Sequence, residues 1–249
     1  MNEEFVSLDP ETVLRVLPRH IVGRGSHQLL DVWPFPFEHG WSLHQPDRGY
    51  QLAASPCQRI RSGFLSLPEG RFEGTWTTTV HHDPFRPAQW KAAFDATIPA
   101  EVLRAFHTEL LSRYFDSANI VHGQLNAGDT EPHQAYLPLL NAGWSQKINR
   151  NRRQAIRSPD GLAYLQNWYQ SPPEWTACAG HPNHPLWTAT FSAGTPAELI
   201  AAFTAPLVDQ EPLTRTVRQL PTATREHLHR SRPSAPTQPA ATRTPSRTR

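Results

Sequence analysis

Apolar and polar residues alternate with a period of two at positions 187–191. Trp187, Ala189 and Phe191 fall on one side of the chain and Thr188 and Thr190 on the other, as in a strand with one buried face. Ser192, Ala193 and Gly194 break the strand. The period then becomes helical, with Leu199, Ile200, Phe203 and Leu207 on one stripe. Thr195 stands as N-cap, Pro196 as first helical residue and Glu198 as the return partner of a capping box. Pro206 is expected to end or kink the helix. The same strand, turn and helix occur 97 positions earlier, where Trp90, Ala92, Phe94, Val102, Leu103, Phe106 and Leu110 occupy the matching places. Ile98 replaces the capping threonine in that copy.

The match extends upstream at slightly larger offsets. GWS stands at 40–42 and 143–145, and SPCQ at 55–58 faces SPDG at 158–161. SPDG fits a type I turn, with proline second and glycine fourth. Returning strands are expected at 64–72 and 162–169, and the next strands at 76–80 and 175–179. Leu137, Leu139 and Leu140 predict a short helix ending at Gly143, whereas Pro34 and Pro36 leave room for a helical turn only. The stretch 13–22, VLRVLPRHIV, suits an edge strand because it contains Pro18. The pattern predicts an α+β chain of two tandem repeats, residues 1–117 and 118–212. Each would hold a short helix, an antiparallel sheet of about three to four strands and a C-terminal capped helix. The connection carries Tyr114, Phe115, Ile120 and Val121, so the repeats are expected to pack on each other about an approximate twofold axis.

A chain of 249 residues with 38% hydrophobic content and 8 Trp has the material for large cores. Trp41 and Trp144, Trp76 and Trp175, and Trp90 and Trp187 pair off between repeats, as core residues would. Trp33 and Trp168 have no counterpart and are candidates for a surface or groove. No apolar run approaches the roughly 20 residues of a membrane span, and the acidic N-terminus lacks the features of a signal peptide. Two cysteines, Cys57 and Cys178, are too few for a disulfide framework. The expectation is a soluble, cytoplasmic protein. Its net charge of +2 hides an asymmetry: positions 213–249 carry eight Arg and one acid, Glu226, leaving the rest at −5. That Pro-, Ser-, Thr- and Arg-rich stretch predicts a disordered basic tail.

The pattern VLPRHIVGRG near the start, AGWS, SPDG, and W-x-A-x-F followed by TPAELIAAFT resemble the SPDY family, a domain of unknown function (317). The resemblance covers most of 14–209 and departs in the first copy at SPCQ. It implies two tandem copies, the common arrangement of that family in high-GC filamentous bacteria, and carries no catalytic residue over.

Two clusters are candidates for chemistry. Cys178, His181 and His184 (CAGHPNH) have zinc-ligand types at close spacing, and His82 in HHDP aligns with His181. The alternative to a metal or histidine-based enzyme is a pair of polar loops. Arg150, Arg152, Arg153 and Arg157 form a basic strip suited to phosphate contacts, or to a solvated, edge-protecting face. No Walker loop, dinucleotide glycine pattern, nucleophile elbow or HExxH occurs, so no cofactor is implied. The expected role is a non-catalytic binding or scaffolding protein with a protein partner, and with weak nucleic-acid contact through the tail.

Overall fold

The computed structural model describes residues 8–26, 28–47, 49–66, 74–119, 125, 131–148, 153–168, 174–181 and 183–230. Ten strands form one continuous sheet. Its first half is β2 (Ser42–Asp47), β3 (Tyr50–Ala54), β4 (Ile60–Ser66), β5 (Gly74–Val80) and β6 (Trp90–Asp95). Helix α1 (Ala100–Asn119) and the short α2 (Leu137–Asn141) follow. The second half is β7 (Ser145–Ile148), β8 (Arg153–Arg157), β9 (Ala163–Trp168), β10 (Glu174–His181) and β11 (His184–Phe191), ending in α3 (Ala197–Val208). Each half is an antiparallel meander, and the order across the sheet is β2-β3-β4-β5-β6-β11-β10-β9-β8-β7.

This corrects the expectation of two repeats with a sheet of three to four strands each. The last strand of each meander would be an exposed, apolar edge, and such edges invite pairing. Here each edge pairs with the other: Ala92 lies opposite Phe191, Ala93 opposite Thr190 and Phe94 opposite Ala189. Because matching residues are 97 apart, this register is reciprocal and centres on Ala93 and Thr190. Across the join Phe94, Phe106, Phe191 and Phe203 form one cluster, with ring centroids 5.0 Å apart for Phe94–Phe106 and 5.2 Å for Phe191–Phe203. Trp90, Phe94, Trp187 and Phe191 alternate with half-buried or exposed neighbours, so one face of the sheet is core and the other carries hydroxyls such as Thr75, Thr77 and Thr79.

A second sheet has three strands in the order β12-β1-β13, with β1 (Val13–Leu17) between β12 (Leu213–Thr216) and β13 (His229–Arg230). The 13–22 stretch is therefore no edge strand. Pro18 falls just after β1, where its missing N–H breaks no ladder bond. The expectation of a disordered tail from 213 is overturned for 213–230, while 231–249 lie outside the described residues. Leu213, Val217, Leu220 and Leu228 are spaced through that polar segment and all are buried. Arg215 closes the join, donating to both carboxylate oxygens of Glu101 at 2.8 and 2.7 Å.

Three local expectations also change. Thr195 does not cap α3: its hydroxyl donates to the Ser192 carbonyl, and the Pro196 carbonyl accepts from the Leu199 and Ile200 N–H groups. Glu198 pairs with Arg113 at 3.1 Å. Pro206 lies inside α3, which continues to Val208 because Leu207 is anchored in the core. Trp33 is buried, its indole N–H donating to Ser62 Oγ at 3.0 Å. The side chain of Trp168 lies outside the described residues.

Candidate functional site

Segments far apart in sequence converge on a cleft of about 460 Å³. After β1 the chain makes a single helical turn that buries Arg19 and His20. Arg19 is spent on structure, binding the Asp209 carboxylate at 2.8 Å and the Glu211 carbonyl at 2.6 Å, both just beyond α3. His20 is held through its backbone carbonyl, which accepts the Trp187 indole N–H at 2.9 Å. Its ring stands edge-on to Trp144 at 5.6 Å, and Nε2 lies 2.8 Å from Asp160 Oδ2.

Asp160 comes from the SPDG turn, which forms as its residues dictate. The Gly161 N–H donates to the Ser158 carbonyl at 3.0 Å, and Gly161 has φ of 75°. Ser158 Oγ and the Leu162 N–H both donate to Asp160 Oδ1, at 2.6 and 3.0 Å. Burial works against the charged form of Asp160, but the bonds from His20, Ser158 and Leu162 outweigh it. They hold this carboxyl well below the usual carboxylate range, so the hydrogen of the pair sits on His20 Nε2. The Asp160 side chain remains 31% exposed. Leu207 and Val208 add an apolar wall, and Glu226, His227 and His229 stand on the rim.

The matching place in the first half is filled. Phe35 stacks on Trp41 at 4.2 Å with the planes 10° apart, and Tyr114 stands edge-on at 5.4 Å. Cys57 replaces Asp160 within the same turn, and Gln58 takes the glycine's place with φ of 58°. Burial opposes ionisation of Cys57, yet contacts from Ser55, Arg59 and Tyr114 outweigh it and hold the thiol below its ordinary value. Burial, with Cys57 beside it, pushes Tyr114 up to about 12.

A second polar cluster lies in the core. His107 Nε2 is 3.1 Å from both Ser62 Oγ and Thr78 Oγ1. The spacing suits a nucleophile and base, but all three side chains are fully buried, so no substrate reaches them. Burial pushes His107 down to about 4.

The cysteine and histidines singled out from the sequence do not assemble into a metal centre among the described residues. Cys178 is buried in β10, paired with Tyr164 and Thr188 on the neighbouring strands, and burial pushes its thiol up. His181 and His184 face each other across the exposed end of the β10–β11 hairpin. His82 lies in the loop that enters β6, whereas the β10–β11 hairpin stands at the other end of β6. Six residues of strand, about 17 Å, separate the two loops, because the reciprocal pairing of β6 and β11 sends matching loops to opposite ends. Among the described residues no group of three or more His, Cys, Asp and Glu is placed to hold a metal ion. Arg153 and Arg157 sit on β8 two pleats apart, with Lys147 on the same face of β7; Arg150 and Arg152 lie outside the described residues.

Fold and site together define an open antiparallel sheet, covered by helices on one face, with a His–Asp cleft where the N-terminal turn meets the second half. No helix among the described residues is long and apolar enough to cross a membrane. The family model of SPDY, a domain of unknown function (DUF317), matches this chain twice, at residues 54–114 and 157–213. Asp160 lies within the second match, whereas His20 and Trp144 lie outside both. No curated protein and no solved structure matches the chain.

Proposed function

We propose that this chain is a non-catalytic binding protein whose cleft at His20, Trp144 and Asp160 receives a cationic side chain from a protein partner. The observation that carries the reading is the convergence of the PRH, GW and SPD segments on one partly exposed, ionised carboxylate. Arg19 is already paired with Asp209, so the carboxylates left facing the cleft are Asp160, bonded by His20, Ser158 and Leu162, and Glu226, 3.6 Å from His227. Trp144, Leu207 and Val208 supply apolar surface for the stem of an arginine or lysine. Catalysis is disfavoured because, among the described residues, no Ser, Thr, Cys, Tyr or Lys lines the cleft and His20 Nδ1 is buried without a hydrogen-bond partner.

Calorimetric titration of the full chain with short arginine- or lysine-bearing peptides, against their norleucine analogues, tests the reading. Binding of the cationic peptides should weaken about tenfold or more in Asp160→Asn, the effect of losing a charge-assisted hydrogen bond. Equal affinity for the norleucine analogues, or for the Asn variant, would refute it.

A further inference from the structure

A separate pocket of about 340 Å³, sharing no residue with the His20 cleft, is lined by Arg24, Arg218 and Arg225 and, among the described residues, by no carboxylate. Arg24 is presented by the loop that follows the first helical turn. Its neighbours Gly23 and Gly25 both have φ of 76°, and at Gly25 a Cβ would stand 2.4 Å from the Arg215 guanidinium carbon. Only glycine fits there. The loop is pinned from two sides: the Ala100 N–H donates to the Arg24 carbonyl at 2.9 Å, and the Gln219 side chain to the Gly25 carbonyl at 3.0 Å. The backbone thus fixes where the Arg24 side chain begins.

The guanidinium lies 5.4 Å from the Phe64 ring centroid and 5.8 Å from that of Trp76. Among the described residues it has no hydrogen-bond or ion-pair partner, and its Nε is buried. Burial accordingly pushes its pKa down. The nearby Arg215, by contrast, is paired with Glu101. Arg225 spends Nε and Nη2 on the Val217 and Leu220 carbonyls. Arg218 stands exposed at the rim, bonded to Glu11 at 3.0 Å.

We propose that this pocket binds a small molecule bearing an oxyanion, a phosphate monoester or a carboxylate. The oxyanion would be held between Arg24, Arg218 and Arg225, with the apolar body against Leu186, Leu220 and Pro221. A half-buried cation with no counterion among the described residues carries a desolvation cost that an anionic ligand offsets. The planar fork of arginine matches both oxyanions.

The test is calorimetry and thermal melting of the full chain with phenyl phosphate, benzoate, inorganic phosphate and neutral benzyl alcohol at constant ionic strength. Saturable binding with a raised Tm is expected for phenyl phosphate, benzoate or both, and the two arms identify the oxyanion. Benzyl alcohol should not bind, and inorganic phosphate should bind more weakly than its phenyl ester. Arg24→Met should weaken binding at least tenfold, and Arg218→Gln, at an exposed position that does not endanger folding, several-fold. Asp160→Asn should leave it unchanged, which keeps this site distinct from the His20 cleft. No saturable anion binding, or equal binding by Arg24→Met and Arg218→Gln, would overturn the proposal. Inorganic phosphate binding as tightly as its phenyl ester would refute the apolar half.

Discussion

At the scale of single residues the clearest consequence of burial is at His107. Its pKa is pushed down from 6.5 to about 4 in the folded chain. Between those values the unfolded chain takes up a proton that the folded chain refuses. The stability tied to this group is therefore fully present above pH 6.5 and lost as pH falls toward 4, by about 3 kcal/mol. Urea melts across that window should show the slope in the native sequence and lose it in His107→Gln. A slope unchanged by the substitution would assign the titration elsewhere. Asp160, with its lowered pKa, loses its contribution only at lower pH, so the two effects separate. The burial of Trp90, Phe94, Trp187 and Phe191 was legible from alternation alone. That of Trp33 was not, because its indole is satisfied by Ser62, a partner brought in by folding. His20 and Asp160 escaped for the same reason: they are 140 positions apart, and each reads locally as a plain loop or turn residue.

At the scale of elements the segment after α3 matters most. Its arginine and proline content suggested a solvated tail, yet four apolar residues at intervals through 213–228 are buried and β12 registers along β1. Each such side chain is worth ~1.5–3 kcal/mol when buried, together on the order of a domain's whole stability. Truncation after Glu211 should unfold the chain or lower its Tm steeply, whereas truncation after Arg230 should leave the melt unchanged. The second truncation also tests the tail as a nucleic-acid contact, because positions 231–249 hold four arginines and no acid. We expect weak, salt-dependent binding of DNA or RNA by the full chain, lost on truncation after Arg230. Binding that survives that truncation would place the contact on the folded part, with Lys147, Arg153 and Arg157 as the first residues to neutralise.

At the scale of the whole molecule the join between β6 and β11 decides behaviour. The Phe94, Phe106, Phe191 and Phe203 cluster spans it, and α1 packs on α3 over the same seam. Expressed separately, the two halves should each expose an apolar edge strand and half of that cluster, and so aggregate or self-associate. Mixing them during refolding should restore a soluble one-to-one complex. Two monomeric halves as stable as the intact chain, by ultracentrifugation and thermal melting, would contradict the continuous sheet as the unit of stability.

The sequence by itself determined the local elements, the alternation that chooses a buried face, the SPDG turn and the internal match between halves. These depend on residues a few positions apart or on direct comparison of two stretches. Tertiary structure alone decided that the meanders of the two halves join in one ten-stranded sheet, that 213–230 is packed, and that the CAGHPNH and HHDP loops lie at opposite ends. It also decided which motifs meet at the cleft and that Arg24 has no counterion among the described residues. Strand partners and ion pairs are chosen by competition among surfaces across the whole folded chain, and that competition leaves no period or spacing to read.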